Sequence, residues 1–196
     1  MPLRTLKLHG AFQTTLRSST LRRLGRLCGR LKELDLFDTT FEVAGIHDLL
    51  ELRGAQLTHL RLINGIDGTT LDDNTLAVVA RSGRRLRHLD LSFAQLTGAG
   101  IDAFARTVAA AHAEAQAQDP QHSIAGDRPG RYSLEFVRLV HCGGLQSSHI
   151  RSLVKDMPTM KTLDLRRCSV VGHDEEQRVV QIAREDGTIA SVIVGE

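Results

Sequence analysis

Apolar residues recur along this chain with a spacing of three and then two. Leu86, Leu89 and Leu91 stand in LRHLDL; Leu31, Leu34 and Leu36 in LKELDL; Leu57, Leu60 and Leu62 in LTHLRL; Met160, Leu163 and Leu165 in MKTLDL. Two looser copies are LRTLKL (Leu3, Leu6, Leu8) and LEFVRL (Leu134, Val137, Leu139). The copies begin at residues 3, 31, 57, 86, 134 and 160, so the steps are 28, 26, 29, 48 and 26. Each unit is long enough for one short strand and one helix. A single unit cannot bury its apolar face, so neighbours must stack. Motif positions 1, 4 and 6 then face the core, and positions 3, 5 and 7 face away from it.

The residue three beyond the last motif leucine is Ala11, Thr39, Gly65, Ala94, Cys142 and Cys168 in turn. With the L-x-x-L-x-L spacing, small residues and cysteine at that place resemble the cysteine-containing and ribonuclease-inhibitor-like leucine-rich repeats. The resemblance implies an α/β solenoid of about six strand–helix repeats with a parallel concave sheet. Those subclasses are common in F-box substrate receptors of ubiquitin ligases and related cytosolic or nuclear adaptors. The resemblance therefore implies protein binding, with neither catalysis nor a cofactor.

The whole chain reads as one domain, with repeats near 3–30, 31–56, 57–85, 86–117, 134–159 and 160–177. The first strand has no earlier repeat to cover its edge, so either the chain is cut from a longer protein or a partner covers that end. In the second helix Val43, Ile46, Leu49 and Leu50 share one face; the third begins near Asp72 or Asp73, both suitable caps. The fourth starts after Gly98 and runs through an alanine-rich stretch to Ala117. Residues 118–131, QDPQHSIAGDRPGR, read as a loop inserted between repeats. The fifth helix, Ser147 to Met157, is stopped by Pro158. The end of the chain loses the helical period. Two β-branched runs around Asp186-Gly187 predict a hairpin over 178–195 that caps the last strand.

Composition narrows the function classes. No apolar run approaches the roughly 18 residues that span a bilayer, so no membrane partner is expected. Net charge is +2, yet residues 1–32 carry eight Lys or Arg and no acid. The stretch 14–30 resembles a mitochondrial presequence in composition, but the repeat phase runs through it, which favours a basic helix. Nucleic acid is not an expected partner, because no interleaved aromatics offer stacking platforms. Three cysteines give no disulfide framework; Cys142 and Cys168 are read as reduced core residues, although their equivalent places would let them pair. The setting expected is intracellular, cytoplasm or nucleus, with the mitochondrion as alternative. No nucleotide, zinc-protease or hydrolase motif occurs.

The outward columns carry the candidate chemistry. The third column reads Thr5, Glu33, His59, His88, Phe136, Thr162. Glu33, His59 and His88 admit a cation by residue type, but a polar surface with solvated histidines is the reading adopted, and no metal is expected. The fifth column, Lys7, Asp35, Arg61, Asp90, Arg138, Asp164, alternates in sign on every strand. That alternation is either a self-neutralising ladder or a set of recognition charges. The seventh column is His9, Phe37, Ile63, Ser92, Val140, Arg166. Phe37, Ile63 and Val140 stand where packing within a repeat does not require them. With Phe136, and with Phe93 in the following turn, they suggest an apolar patch beside charge, a combination typical of interfaces. The partner-binding set is therefore Phe37, Ile63, Phe136, Val140, Arg61, Arg138, Asp35, Asp90, His59 and His88. The function expected is protein binding through the concave sheet, as a ubiquitin-ligase substrate receptor or adaptor; the alternative is a structural subunit of a larger, mitochondrial assembly.

Overall fold

The structure, a computed structural model, describes residues 2–10, 14–63, 70–117, 133–143, 145–168, 178–183 and 189–194. The insertion expected at 118–131, the acidic run after Gly172 and the Asp186-Gly187 turn lie outside the described residues.

Each motif forms a strand: β1 (Thr5–His9), β2 (Glu33–Phe37), β3 (His59–Ile63), β4 (His88–Asp90), β5 (Phe136–Arg138) and β6 (Thr162–Asp164). Between them lie α1 (Ser18–Leu27), α2 (Val43–Arg53), α3 (Asp73–Ser82), α4 (Gly98–Ala117) and α5 (Ser147–Asp156). The last two strands, β7 (Arg178–Ala183) and β8 (Ile189–Val194), pair antiparallel. The sheet order is β1-β2-β3-β4-β5-β6-β8-β7, with β8 parallel to β6. The expected cap is present, and its second strand is the one that covers β6.

The register is in phase throughout. Thr5 pairs with Glu33, Glu33 with His59, His59 with His88, His88 with Phe136, and Phe136 with Thr162. One backbone device recurs at the strand entrances. The Arg4 carbonyl accepts from the N–H groups of Lys32 and Glu33, and Lys32 from Thr58 and His59. Thr58 accepts from Arg87 and His88, Arg87 from Glu135 and Phe136, and Glu135 from Lys161 and Thr162. The unequal repeat lengths therefore leave the strand entrances unchanged.

Inward leucines fill one continuous core that runs from Leu21 to Val192. Leu31, Leu34, Leu36, Leu57, Leu60 and Leu62 are fully buried, each worth about 1.5–3 kcal/mol relative to exposure. Their counterparts in the first repeat, Leu3, Leu6 and Leu8, are only partly buried. Where related repeats place asparagine, this chain uses other donors to the same end. Thr39 Oγ1 donates to the Leu8 carbonyl (2.9 Å), Cys142 Sγ to Leu91 (3.5 Å) and Cys168 Sγ to Leu139 (2.7 Å), each reaching the preceding repeat. The two thiols are free, not a disulfide. Burial pushes Cys142 up to about 12 and Cys168 up to about 11, so both remain protonated donors.

Helix ends are also tied across repeats. Asp72 caps its own helix through the N–H groups of Asn74 and Thr75, whereas Asp73 accepts from the N–H and hydroxyl of Thr97, just before α4. Glu42 accepts from Ser18 N–H at the start of α1 (2.6 Å), and hydrogen bonding from the Ser18 side chain, then from this N–H, holds its carboxyl below the ordinary range. Helices α1 and α2 approach closely because Gly45 faces α1: a Cβ there would meet Ser18 Cα at 2.5 Å and Leu21 Cδ1 at 2.9 Å.

Gly45→Ala should therefore lower stability despite the gain in helix propensity. Overpacking costs about 1–3 kcal/mol, against about 1 kcal/mol recovered. Gly143, where an added Cβ meets nothing within 4 Å, is the control and should change by less than about 0.5 kcal/mol. Urea midpoints of the two variants decide it; an equal shift at both positions contradicts the close-packing account.

Candidate functional site

The helix-free face of the sheet carries the odd motif positions as continuous columns, because every strand shares one register. In the fifth column the sign alternation becomes a chain of contacts. Asp35 Oδ2 meets His9 Nε2 at 3.0 Å and Arg61 at 3.9 Å. Asp90 Oδ2 lies between Arg61 Nε (3.3 Å) and Arg138 (3.9 Å). Asp164 Oδ2 lies between Arg138 Nε (3.0 Å) and Arg166 (2.9 Å). The self-neutralising ladder thus exists, and it is not uniformly exposed. Asp90 is 8% and Asp164 2% exposed, while the arginines beside them are about a third exposed.

The aspartates also hold the turns that follow their strands. Asp90 Oδ1 accepts from the N–H (3.0 Å) and hydroxyl (2.7 Å) of Ser92. Asp164 Oδ1 accepts from the N–H and Nε of Arg166. Burial alone would push the Asp164 carboxyl up, but hydrogen bonds from Arg166 and Arg138 outweigh it and hold the group below its ordinary value. Asp90 is consequently a buried anchor of the turn and not the exposed recognition charge its column position implied.

In the third column His59 and His88 stack face to face, with centroids 4.3 Å apart and planes 7° from parallel. Phe136 continues the row at 5.9 Å from His88. Stacked rings do not converge their nitrogens on one point, and Thr58 Oγ1 already lies 2.9 Å from His59 Nδ1. Among the described residues no three His, Cys, Asp or Glu side chains are placed to hold a metal ion. Glu33 occupies its column place beside His59 without completing such a set.

In the seventh column Phe37 is 36% exposed, with the Arg61 guanidinium 4.2 Å above its ring and His9 at its edge. Val140 is half-buried. Ile63 is only 6% exposed. It forms floor between its neighbours and is not the protruding apolar anchor that sequence reasoning assigned.

The turn beyond each strand adds residues outside the three columns, of which sequence reasoning names Phe93. Gly10, Asp38, Phe93, His141 and Arg167 occupy the same place in successive described repeats, and all have positive φ, between 53° and 68°. A left-handed conformation costs a non-glycine residue roughly 1–2 kcal/mol, and glycine, asparagine or aspartate bear it best. Phe93 nonetheless stands there, 55% exposed, stacked on His141 at 4.9 Å. The available signal in sequence was a large aromatic at a turn position that packing does not demand.

Two adjoining shallow depressions result. One, of about 230 Å³, centres on His59, His88 and Phe136; the other, of about 250 Å³, on Phe37, Ile63, Val140 and Phe93. Arg61, Asp90 and Arg138 form the wall they share. Each is smaller than the several hundred Å³ of a typical small-molecule pocket and suits the side chains of a docked protein.

The leucine-rich-repeat family model, described as "Leucine Rich repeat", matches residues 84–105, which hold β4 and the start of α4. The fold is an α/β leucine-rich-repeat solenoid. No curated protein matches the sequence. Leucine-rich-repeat domains generally mediate protein–protein interaction and are typically non-enzymatic. Among the described residues no helix is long and apolar enough to cross a membrane.

His88 offers a test of the stacked pair. Burial, then the positive charge of His59 and Arg87, depresses its pKa, with Glu135 opposing. A histidine depressed in the folded state binds fewer protons than in the unfolded chain, so its contribution is intact above about pH 6.5 and is lost as pH falls through the lower folded value. Unfolding midpoints of wild type and His88→Phe measured at pH 7.5 and 5.5 should show the smaller acid-side loss in the variant. Equal losses would exclude His88 as a source of acid sensitivity.

Proposed function

We propose that the protein is a binding module that holds a partner protein on the open, concave face of its sheet. One observation carries this reading: two depressions with apolar floors adjoin around a fixed lattice of arginine and aspartate, on a sheet whose register leaves little to reorganise. Phe37, Phe136 and Val140 supply apolar contact, Ile63 the floor, and Arg61 and Arg138 the donors above half-buried Asp35 and buried Asp90. His59 and His88 line the adjoining wall. Aromatic and arginine anchors are the usual energetic centres of interfaces. A preorganised surface spends less of its binding energy on ordering.

Within that reading the role is substrate receptor or adaptor, the ubiquitin-ligase type being the one the cysteine-bearing repeats favour through Cys142 and Cys168. The cellular setting that goes with it is cytoplasm or nucleus. A second reading has a specific observation behind it. Among the described residues strand β1 has a neighbour on one side only, its leucines are incompletely buried, and α1 beside it bears Arg22, Arg23 and Arg26 with an exposed Leu27. That end suits docking as a subunit of a larger assembly, a mitochondrial one included.

Affinity purification with mass spectrometry supplies the partner. Phe37→Ala combined with Phe136→Ala should then weaken binding at least about tenfold, as expected for interface anchors, with an unchanged thermal transition. Reversing Arg61 or Arg138 is less informative, because a carboxylate there would face buried Asp90. Normal binding by the phenylalanine variant, with loss on charge reversal at Arg22, Arg23 and Arg26, would put the docked-subunit reading in its place.

A further inference from the structure

The two depressions differ in charge. The one around His59 and His88 is lined by Lys7, Arg61 and Arg138 against Glu33, Asp35 and Asp90, and is balanced. Among the described residues the turn-side one is lined by Arg61, Arg138, Arg166 and Arg167 against Asp90 alone, an excess of three positive charges. Counting the buried Asp164 beneath it still leaves an excess of two. The guanidiniums there have more donors than the sheet has acceptors. Asp90 and Asp164 each commit one oxygen to their own turn, and the remaining oxygen of each is shared by two arginines. Arg167 is exposed and has no ion pair among the described residues. Beside it stand the stacked rings of Phe93 and His141, presented on turns whose geometry does not select them.

Resting on the open-face reading above, we propose that this turn-side depression takes an extended acidic segment of the partner. An apolar or aromatic side chain of that segment seats on Phe37, Ile63 and Phe93, and its neighbouring carboxylates meet Arg166 and Arg167. The dimensions fit such an occupant. From the β2 turn to the β6 turn are four strand steps, about 19 Å, the reach of about six extended residues. Planar guanidiniums match carboxylates with paired donors, which gives direction as well as attraction. A nucleic-acid strand would want a succession of exposed rings to stack its bases, and among its described residues this groove offers the one stacked pair of Phe93 and His141.

The probe is an array of short peptides, about six to nine residues long, each carrying Phe or Leu beside two or three Glu. Each is matched by an analogue with Gln and one with Lys for Glu, and the best are followed by fluorescence anisotropy against the full chain. Glu peptides should bind at least about tenfold more tightly than their Gln analogues at low ionic strength, with the gap narrowing as salt rises. Arg167→Glu, at an exposed position outside the core, and Phe93→Ala should each weaken binding several-fold without moving the thermal transition. The proposal is overturned if Gln analogues bind equally, if no Glu peptide exceeds its Lys analogue, or if oligouridine displaces the peptides more effectively than unlabelled peptide does. Two failures are separable. Peptide binding that ignores Glu-to-Gln exchange but is lost in Phe37→Ala/Phe136→Ala removes the acidic partner and keeps the open-face reading. Binding that survives those variants and vanishes on reversal of Arg22, Arg23 and Arg26 removes both.

Discussion

The rest of this molecule depends on a backbone contact made over and over at the strand entrances. One carbonyl receives two N–H groups from the next repeat, from Arg4 to Lys32 and Glu33 and onward to Lys161 and Thr162. Because the contact always joins equivalent positions, the register never slips. A one-residue slip would turn every motif leucine out of the core. The same constraint aligns the third, fifth and seventh positions, so the chemistry of the open face is set by what the sequence places in three columns.

Variation is pushed away from that ladder. On the helical side Gly45 lets α1 approach α2, and Asp73 and Glu42 reach across to neighbouring helix starts. At the other end of each strand the chain must reverse toward the helices, and it does so through a left-handed residue in every described turn. Thr39, Cys142 and Cys168 brace those turns by donating to the preceding repeat. A protonated thiol in a buried place makes an adequate donor, which is why cysteine can stand where related repeats use an amide.

Electrostatics on the open face follow from unequal burial. Asp90 and Asp164 of the fifth column sink toward the turns, where backbone N–H groups and paired guanidiniums compensate for lost water. The arginines lie over them with part of their surface free. Exposed pairs of this kind add little stability singly, but the network fixes guanidinium orientation before any partner arrives. The face is thus both neutralised from below and donor-rich from above. That asymmetry, more than net charge, distinguishes the turn side from the histidine side.

The sequence by itself determined the repeat count, the strand positions, the helix faces and the C-terminal hairpin. Leucine spacing of three and two, with helical spacing after it, allows one stacked arrangement that buries those side chains. It also placed Phe37, Arg61, Arg138, Phe136 and the histidines in their columns, since register follows from periodicity. Only the tertiary structure decided depth and direction. Ile63 sinks to the floor and Asp90 beneath its arginines because neighbouring strands close over them, which no single repeat can reveal. His59 and His88 stack where their residue types equally admitted a cation, because adjacent parallel strands set the rings side by side. Phe93, His141 and Arg167 come together only when successive turns stack, at positions where the motif specifies backbone conformation and leaves the side chain open.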